Sequence, residues 1–320
     1  MISVIEHICW TSFANAAYIL GQGWVSCPTC FSIYSFPFSA GLQEVDVKFV
    51  KLTDEQRRRF DEDGFLVVPK AVDPAEVARL VKAADRIMEP HFSGDKAAGR
   101  QVHIREDIIQ EEAFASLLSC SRTVPLVVQL LSPNLQLHTA TVTYKAPEDS
   151  SDINRRGWHR DIGILEDLGH DHLPRVGIKI CYCLTDFHEK YSGITLLARK
   201  SHTRAAPLAL PTGEADPEEV VEPMMNAGDA LLFENRIYHS SAPNLTQRTS
   251  KVIFYGYSYR WMKPDINLYF PDKDLVEKAD DIDRQLLGEH LNVDTPPRAL
   301  KDWAARYGVE PRSEPNLVEV

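Results

Sequence analysis

Apolar and polar positions follow two different rhythms along this chain, and the change falls near Leu135. Before it the signals are helical. Thr53-Asp54-Glu55-Gln56 opens a short charged helix, and "DGFLVVPKAV" is a Gly-led apolar run that reads as a strand. Asp73-Pro74-Ala75-Glu76 combines a capping Asp, Pro at the first helical position and Glu three residues after the cap, which predicts a helix start. Val77, Leu80, Val81, Ala84, Ile87 and Met88 then share one helical face as far as Pro90. A second helical region is expected from Glu111 to Leu131, interrupted near Pro125.

From Leu135 onward the period shortens. "LQLHTATVTYK" alternates and is rich in β-branched residues, and "VGIKICYCLTDF" is a longer apolar strand expected to be covered on both faces. "GITLLA", "VVEPMM", "DALLFE" and "KVIFYGYSYRW" follow, each bounded by Gly, Pro, Asn or Asp. Short strands at this spacing predict an antiparallel sandwich or barrel, mainly β with flanking helices. Glu277 to Leu287 and Pro297 to Tyr307 read as closing helices. The expected organisation is an extension over residues 1–45 followed by a single domain over 46–320.

Composition narrows the classes of function. With 320 residues, 44% hydrophobic and 25% charged, the chain can bury a large core. A net charge of -11 argues against nucleic acid or an anionic membrane surface as a main partner, while leaving room for a local basic pocket. Six scattered cysteines are not a disulfide framework and point to a reducing, cytoplasmic compartment. Cys27-Pro-Thr-Cys30 has no second pair to complete a zinc site, and Cys181 and Cys183 read as small buried hydrophobes. No run approaches the length of a membrane span. Between Glu6 and Glu44 there is no Lys, Arg, Asp or Glu, and the positive segment of a secretory signal is missing. The final Leu-Val-Glu-Val is not a peroxisomal tripeptide.

The chemistry gathers around "RRGWHRDIGIL". On extended backbone His159 and Asp161 point the same way while Arg160 faces elsewhere. An imidazole and a carboxylate suit Fe(II), Mn or Zn. In isolation such a pair is as easily accidental. His239 ends a strand in "DALLFENRIYHSSAPN", and a β-core that sets this late strand beside the earlier one would complete two histidines and one carboxylate. That set leaves open positions, as in non-haem Fe(II) oxygenases, whereas a closed structural zinc site would need a fourth ligand. Arg248 follows at the head of the next strand, and an arginine facing into an apolar barrel is costly unless it meets an anion. Its planar fork suits a carboxylate, with Ser241 and Thr195 as hydroxyl donors. A dicarboxylate that chelates iron at one end and needs arginine at the other is 2-oxoglutarate.

These motifs, spread over roughly Leu52 to Gly288, resemble the phytanoyl-CoA dioxygenase-like Fe(II)/2-oxoglutarate oxygenases. The resemblance rests on "DGFLVVPKAV", "YKAPEDS" with "GWHRD", the Gly-x-Thr segment before "KSHTR", "AGDALLFENRIYHSSAPN" with Arg248, the strand ending "YSYRW", and "RQLLG". It implies a double-stranded β-helix (jelly roll, cupin-like) core. It also implies Fe(II) on His159, Asp161 and His239, with 2-oxoglutarate held by Arg248 and Ser241. Thr195 carries over less directly, and Lys145 in "YKAP" matches a position where a lysine approaches the cosubstrate in some members. The implied reaction consumes O2, releases succinate and CO2, and hydroxylates an unactivated C–H bond, or desaturates, cyclises or epoxidises. Asp161 argues against halogenation, because halogenating relatives lack this carboxylate. The chain departs from the family at Lys200-Ser201-His202, where Gly-Ser-His is common, and at Arg160, where glutamine or serine is commoner.

Trp158, Tyr144, His138 and Trp261 are candidates for the cavity wall or for plain packing. His170, His172, His188 and His202 read as solvated loop histidines. "EDLGHDH" is a possible lid, and Arg57-Arg58-Arg59 a solvated helix face. No Lys/Arg run favours a coenzyme A thioester, so the expected partner is a small molecule, a specialised metabolite; oligomeric state is not indicated. Two other readings stay open: a non-catalytic cupin-like ligand-binding or scaffold barrel, and a zinc hydrolase on a β-sandwich, which would leave Arg248 without a role.

Overall fold

A computed structural model describes residues 50–92, 100–105, 108–149, 156–162, 168–264, 273–289 and 302. The Cys27–Cys30 pair, the expected extension, the first two residues of the "EDLGHDH" segment and nearly all of the last expected helix lie outside these residues.

The helical half begins as its caps dictate. In α1 (Asp54–Asp63) the Thr53 hydroxyl accepts from the Gln56 N–H, and the Gln56 side chain accepts from the Thr53 N–H. Gly64 ends the helix at φ 86, and a Cβ there would sit 2.7 Å from His202 Nδ1. In α2 (Pro74–Met88) Asp73 caps the Glu76 N–H at 3.0 Å, and Val77, Leu80, Ala83, Ala84 and Met88 are buried. The region expected as one interrupted helix is two: α3 (Glu112–Ala115) and α4 (Val124–Leu130). Pro125 lies in the first turn of α4, where its missing N–H costs nothing, so it starts a helix instead of breaking one. The closing helix is likewise split into Lys273–Lys278 and Asp281–Leu286, because Asp280 caps the second piece.

The described residues include nine strands: β1 (Phe65–Val68), β2 (Gln101–Ile104), β3 (Leu135–Lys145), β4 (Gly177–Cys183), β5 (Thr195–Ala198), β6 (Val220–Val221), β7 (Ala230–Glu234), β8 (His239–Ser241) and β9 (Ser250–Tyr259). "VVEPMM" yields only the two-residue β6 plus a bridge from Met225 to Phe187. The strands form a six-stranded sheet, β1-β7-β4-β9-β3-β2, and a three-stranded sheet, β6-β5-β8, with antiparallel pairing throughout. This is the jelly-roll core with flanking helices that the strand spacing and the resemblance predict.

Period two divides the large sheet into a dry face and a working face. On the dry face Val142, Tyr144, Ile178, Ile180, Tyr182, Ile253, Tyr255 and Tyr257 pack with residues of the helical half. Three buried tyrosines anchor that layer through their hydroxyls. Tyr182 meets Thr123 Oγ1 at 2.7 Å, Tyr255 donates to Phe114 O at 2.6 Å and Tyr257 to Leu118 O at 2.7 Å. On the other face Cys181, Cys183, Leu231, Phe233 and Val252 pack with Leu197 of the small sheet. Among the described residues no helix is long and apolar enough to cross a membrane.

Candidate metal centre and cavity

The register of the small sheet brings the "WHRD" stretch to β8. His159 and His239 form an isolated antiparallel bridge, with N–H···O bonds of 3.0 and 2.9 Å in the two directions. Ser240 Oγ fastens the same stretch by accepting from the Gly157 N–H at 3.0 Å. His159, Asp161 and His239 thereby place one ligand atom each within 4.8 Å of one another. The His239 Nε2 lies 3.7 Å from Asp161 Oδ1, and the two imidazole centroids are 4.2 Å apart.

Local hydrogen bonds orient the ligand atoms. Each Nδ1 faces a backbone carbonyl two residues earlier, Gly157 O at 2.7 Å for His159 and Ile237 O at 3.1 Å for His239. An Nδ1–H donating there fixes the tautomer that leaves an Nε2 lone pair for a metal, the usual second layer of a histidine metal site. Burial pushes His239 down to about 4, so it is neutral at physiological pH. Burial of Asp161 by itself opposes charge, but the Lys179 ammonium and then the neighbouring His239 hold the carboxyl at about 2. Lys179 Nζ donates to Asp161 Oδ1 at 2.6 Å. Two imidazoles and one carboxylate, preset on one side of a point, fit a divalent cation with open positions.

A cavity of about 690 Å³, within the range of small-molecule sites, is lined by His159 and His239, while Asp161 borders a smaller cavity beside it. Thr139, Thr141, Thr143 and Lys145 line it from alternate positions of β3. Lys145 pairs in register with Ser250 of β9, and Thr195 with Ser241 across the small sheet; all four line the cavity. Lys145 Nζ donates to Ala242 O at 2.6 Å and faces Glu148 at 3.0 Å. Burial holds this ammonium below its ordinary value despite Glu148, so an added anion would be welcome beside it.

Arg248 is not brought there. It is exposed and absent from the cavity wall. The Asn244 side chain closes the turn after β8 by donating to Lys145 O and Arg248 O at 2.9 and 2.8 Å. That turn runs through residue 249, so β9 begins at Ser250, and Ser250 takes the inward position expected for the arginine.

The family model for phytanoyl-CoA dioxygenase (PhyH) matches residues 60–252, more than half of the chain. The chain belongs to that family. It is an Fe(II)- and 2-oxoglutarate-dependent dioxygenase of the hydroxylase type. The ectoine dioxygenase of Stutzerimonas stutzeri (strain A1501) is 24% identical over 249 residues, 67% of this chain and 79% of that enzyme. Among solved structures, HygX from Streptomyces hygroscopicus with nickel and 2-oxoglutarate bound superposes with a TM-score of 0.54 at 17% identity, covering 67% of this chain and 90% of HygX. EctD from S. alaskensis gives 0.51 at 20% identity, covering 65% and 78%. The two structures show the shared fold.

Other candidates in this dioxygenase find different places. Tyr144 faces the dry side, with its hydroxyl on Asp85 at 2.6 Å, because Thr143 and Lys145 point inward. Trp158 Nε1 donates to Ala215 O at 2.9 Å and Trp261 is exposed against Tyr259, so neither lines the cavity. His138 borders a smaller cavity of about 150 Å³ that also touches Asp161 and Lys179. His202 is buried with Nε2 on Asp61 O at 3.0 Å, contrary to a solvated loop position. Arg160 acquires a role: it is buried, donates to Arg236 O at 2.7 Å and Ser201 O at 3.0 Å, meets His170 Nδ1 at 2.8 Å, and lies over the Tyr238 ring. It staples the segment carrying His159 and Asp161 to the adjoining turns, with its guanidinium turned towards Arg236, Ser201 and His170. Lys179, Arg156 and Arg105 also line the cavity. A lone lysine inside "VGIKICYC" was the available signal for the first, by the same burial argument that singles out Arg248.

Proposed function

We propose that His159, Asp161 and His239 hold the iron, and that Lys145 with Ser241, Thr195 and Ser250 holds the distal carboxylate of 2-oxoglutarate. The observation that carries the reading is the cross-strand meeting of the three ligands beside a cavity that His159, His239 and Lys145 line together. His239 and Ser241 are two residues apart on one strand, roughly 6.6 Å, which suits a short dicarboxylate spanning from metal to hydroxyl. Arg156 lies near Lys145 and is held through two bonds to Asp216 at 2.7 and 3.0 Å, whereas Lys145 has a single carboxylate contact, with Glu148 at 3.0 Å.

Bound iron and cosubstrate supply the oxidising chemistry: O2 is reduced as 2-oxoglutarate decarboxylates, one oxygen atom going to succinate and the other to a substrate C–H bond. The protein's share is placement. Histidine tautomers are preset, Asp161 is kept ionised, Lys145 and the hydroxyls fix the cosubstrate's orientation, and Phe233 and Phe254 form an apolar wall near Lys179, each ring centroid 5.9 Å from its Nζ. Asp161 fills the position a halide would need, which favours oxygen insertion. The substrate is a small specialised metabolite of a size the cavity admits.

Replacing Lys145 by Met removes a charge-assisted contact worth about 1.5–3 kcal/mol, so 2-oxoglutarate should bind about ten- to a hundredfold more weakly, by calorimetry on anaerobic iron-loaded protein. Arg248→Ala should leave that affinity within about twofold, as expected for an exposed charge. The reverse pattern would transfer the anchor back to Arg248.

A further inference from the structure

The charges around the cavity do not balance, and the imbalance lies beside the metal centre. Four strong cations line the wall: Arg105, Lys145, Arg156 and Lys179. Two already have carboxylate partners, Arg156 with Asp216 at 2.7 Å and Lys145 with Glu148 at 3.0 Å. Lys179 is paired with Asp161 at 2.6 Å, an oxygen that a bound metal would claim. Arg105 has no carboxylate partner among the described residues. A divalent iron and a cosubstrate dianion cancel each other. Asp161 then offsets only one of Lys179 and Arg105, so among the described residues one positive charge is left over beside the metal centre.

The position of that surplus is informative. Lys179 and Arg105 border both the large cavity and the small one behind Asp161. Both also hold the nearby His103 imidazole below its ordinary value, after the larger effect of burial, so their fields overlap there. His103 Nδ1 pairs with Thr143 Oγ1 at 2.9 Å, adding a polar ring edge to the same wall. Lys179 emerges from a wall of Phe233 and Phe254, where an ammonium is poorly solvated and an oxyanion is attracted strongly.

We propose that the substrate is a small oxyanion, a carboxylate or phosphonate-type group on a short carbon frame, captured by Arg105 and Lys179. This rests on the dioxygenase reading with Lys145 as cosubstrate anchor. Because Lys179 touches a metal ligand, the anion lies next to the iron, and the oxidised C–H bond is within a few bonds of the charged group.

The test is calorimetry on anaerobic protein loaded with Fe(II) and saturating 2-oxoglutarate. Propionate, methylphosphonate and neutral propionamide serve as probes. At least one of the two anions should bind saturably, and the one that binds identifies the oxyanion class. Propionamide should bind about tenfold or more weakly, and Arg105→Gln and Lys179→Gln should each weaken the anion by about tenfold, Arg105→Gln without altering 2-oxoglutarate affinity. Equal binding of amide and anion, no saturable binding of either anion, or insensitivity of both variants overturns the proposal. Parallel loss of 2-oxoglutarate in both variants also overturns it, by assigning the pair to the cosubstrate. Failure of the wild-type protein to take up 2-oxoglutarate at the loading step would instead contradict the dioxygenase reading.

Discussion

At the scale of single residues, the site is made by side chains whose ordinary ionisation the fold has shifted. His239 at about 4 and Asp161 at about 2 are both below their ordinary values of 6.5 and 3.8. In each case the unfolded chain takes up a proton before the folded one, so acid favours unfolding. The metal-free protein should therefore be level in stability above about pH 6.5, lose stability as pH falls from there towards about 4, and lose more from about 3.8 towards 2. Denaturant titrations across pH measure this, and His239→Gln should flatten the upper limb. A wild-type curve that stays flat between pH 7 and 4 would contradict the buried, neutral assignment of His239. Arg160 belongs to this scale as well. Its separation from the metal follows from strand alternation, and its purpose is visible only once Ser201, Arg236 and His170 surround it.

At the scale of elements, turn geometry explains both a retained motif and a relocated one. Lys200 adopts φ 63, the left-handed region where glycine is the unstrained residue. The family's Gly-Ser-His turn therefore persists here with lysine in the strained position. Lys200→Gly should raise stability by about 1 kcal/mol if relief of that strain outweighs the added chain entropy of glycine. Chemical denaturation reads this directly, and a loss of stability would show that the lysine side chain contributes more than its backbone costs.

The same scale shows what was legible in the sequence. Caps at Thr53 and Asp73, the strand alternation of "LQLHTATVTYK" and the i, i+2 spacing of His159 and Asp161 are local properties, and the structure places them as the pattern implies. Arg248 was placed at a strand head by counting along the chain, but Asn244 consumes those residues in a turn. The cationic wall was invisible for a related reason. Arg105, Lys145, Arg156 and Lys179 come from four separate segments and never form a run.

At the scale of the whole molecule, one sheet separates two environments. Its dry face is anchored to the helices through tyrosine hydroxyls, while its other face grades from Cys181 and Leu231 to the threonines, lysines and histidines of the cavity. The three proposed metal ligands sit where the small sheet closes over that polar end, so their geometry depends on the register of both sheets together. The most direct test of this arrangement is anaerobic addition of Fe(II) and 2-oxoglutarate to metal-free protein, followed by visible spectroscopy. A charge-transfer band of the iron–cosubstrate chelate should appear at one equivalent of iron per chain and be lost in Asp161→Ala and His239→Ala, with both variants still folded by circular dichroism. No band in the wild type, or a band unchanged in both variants, would contradict the assignment of His159, Asp161 and His239 as the iron site.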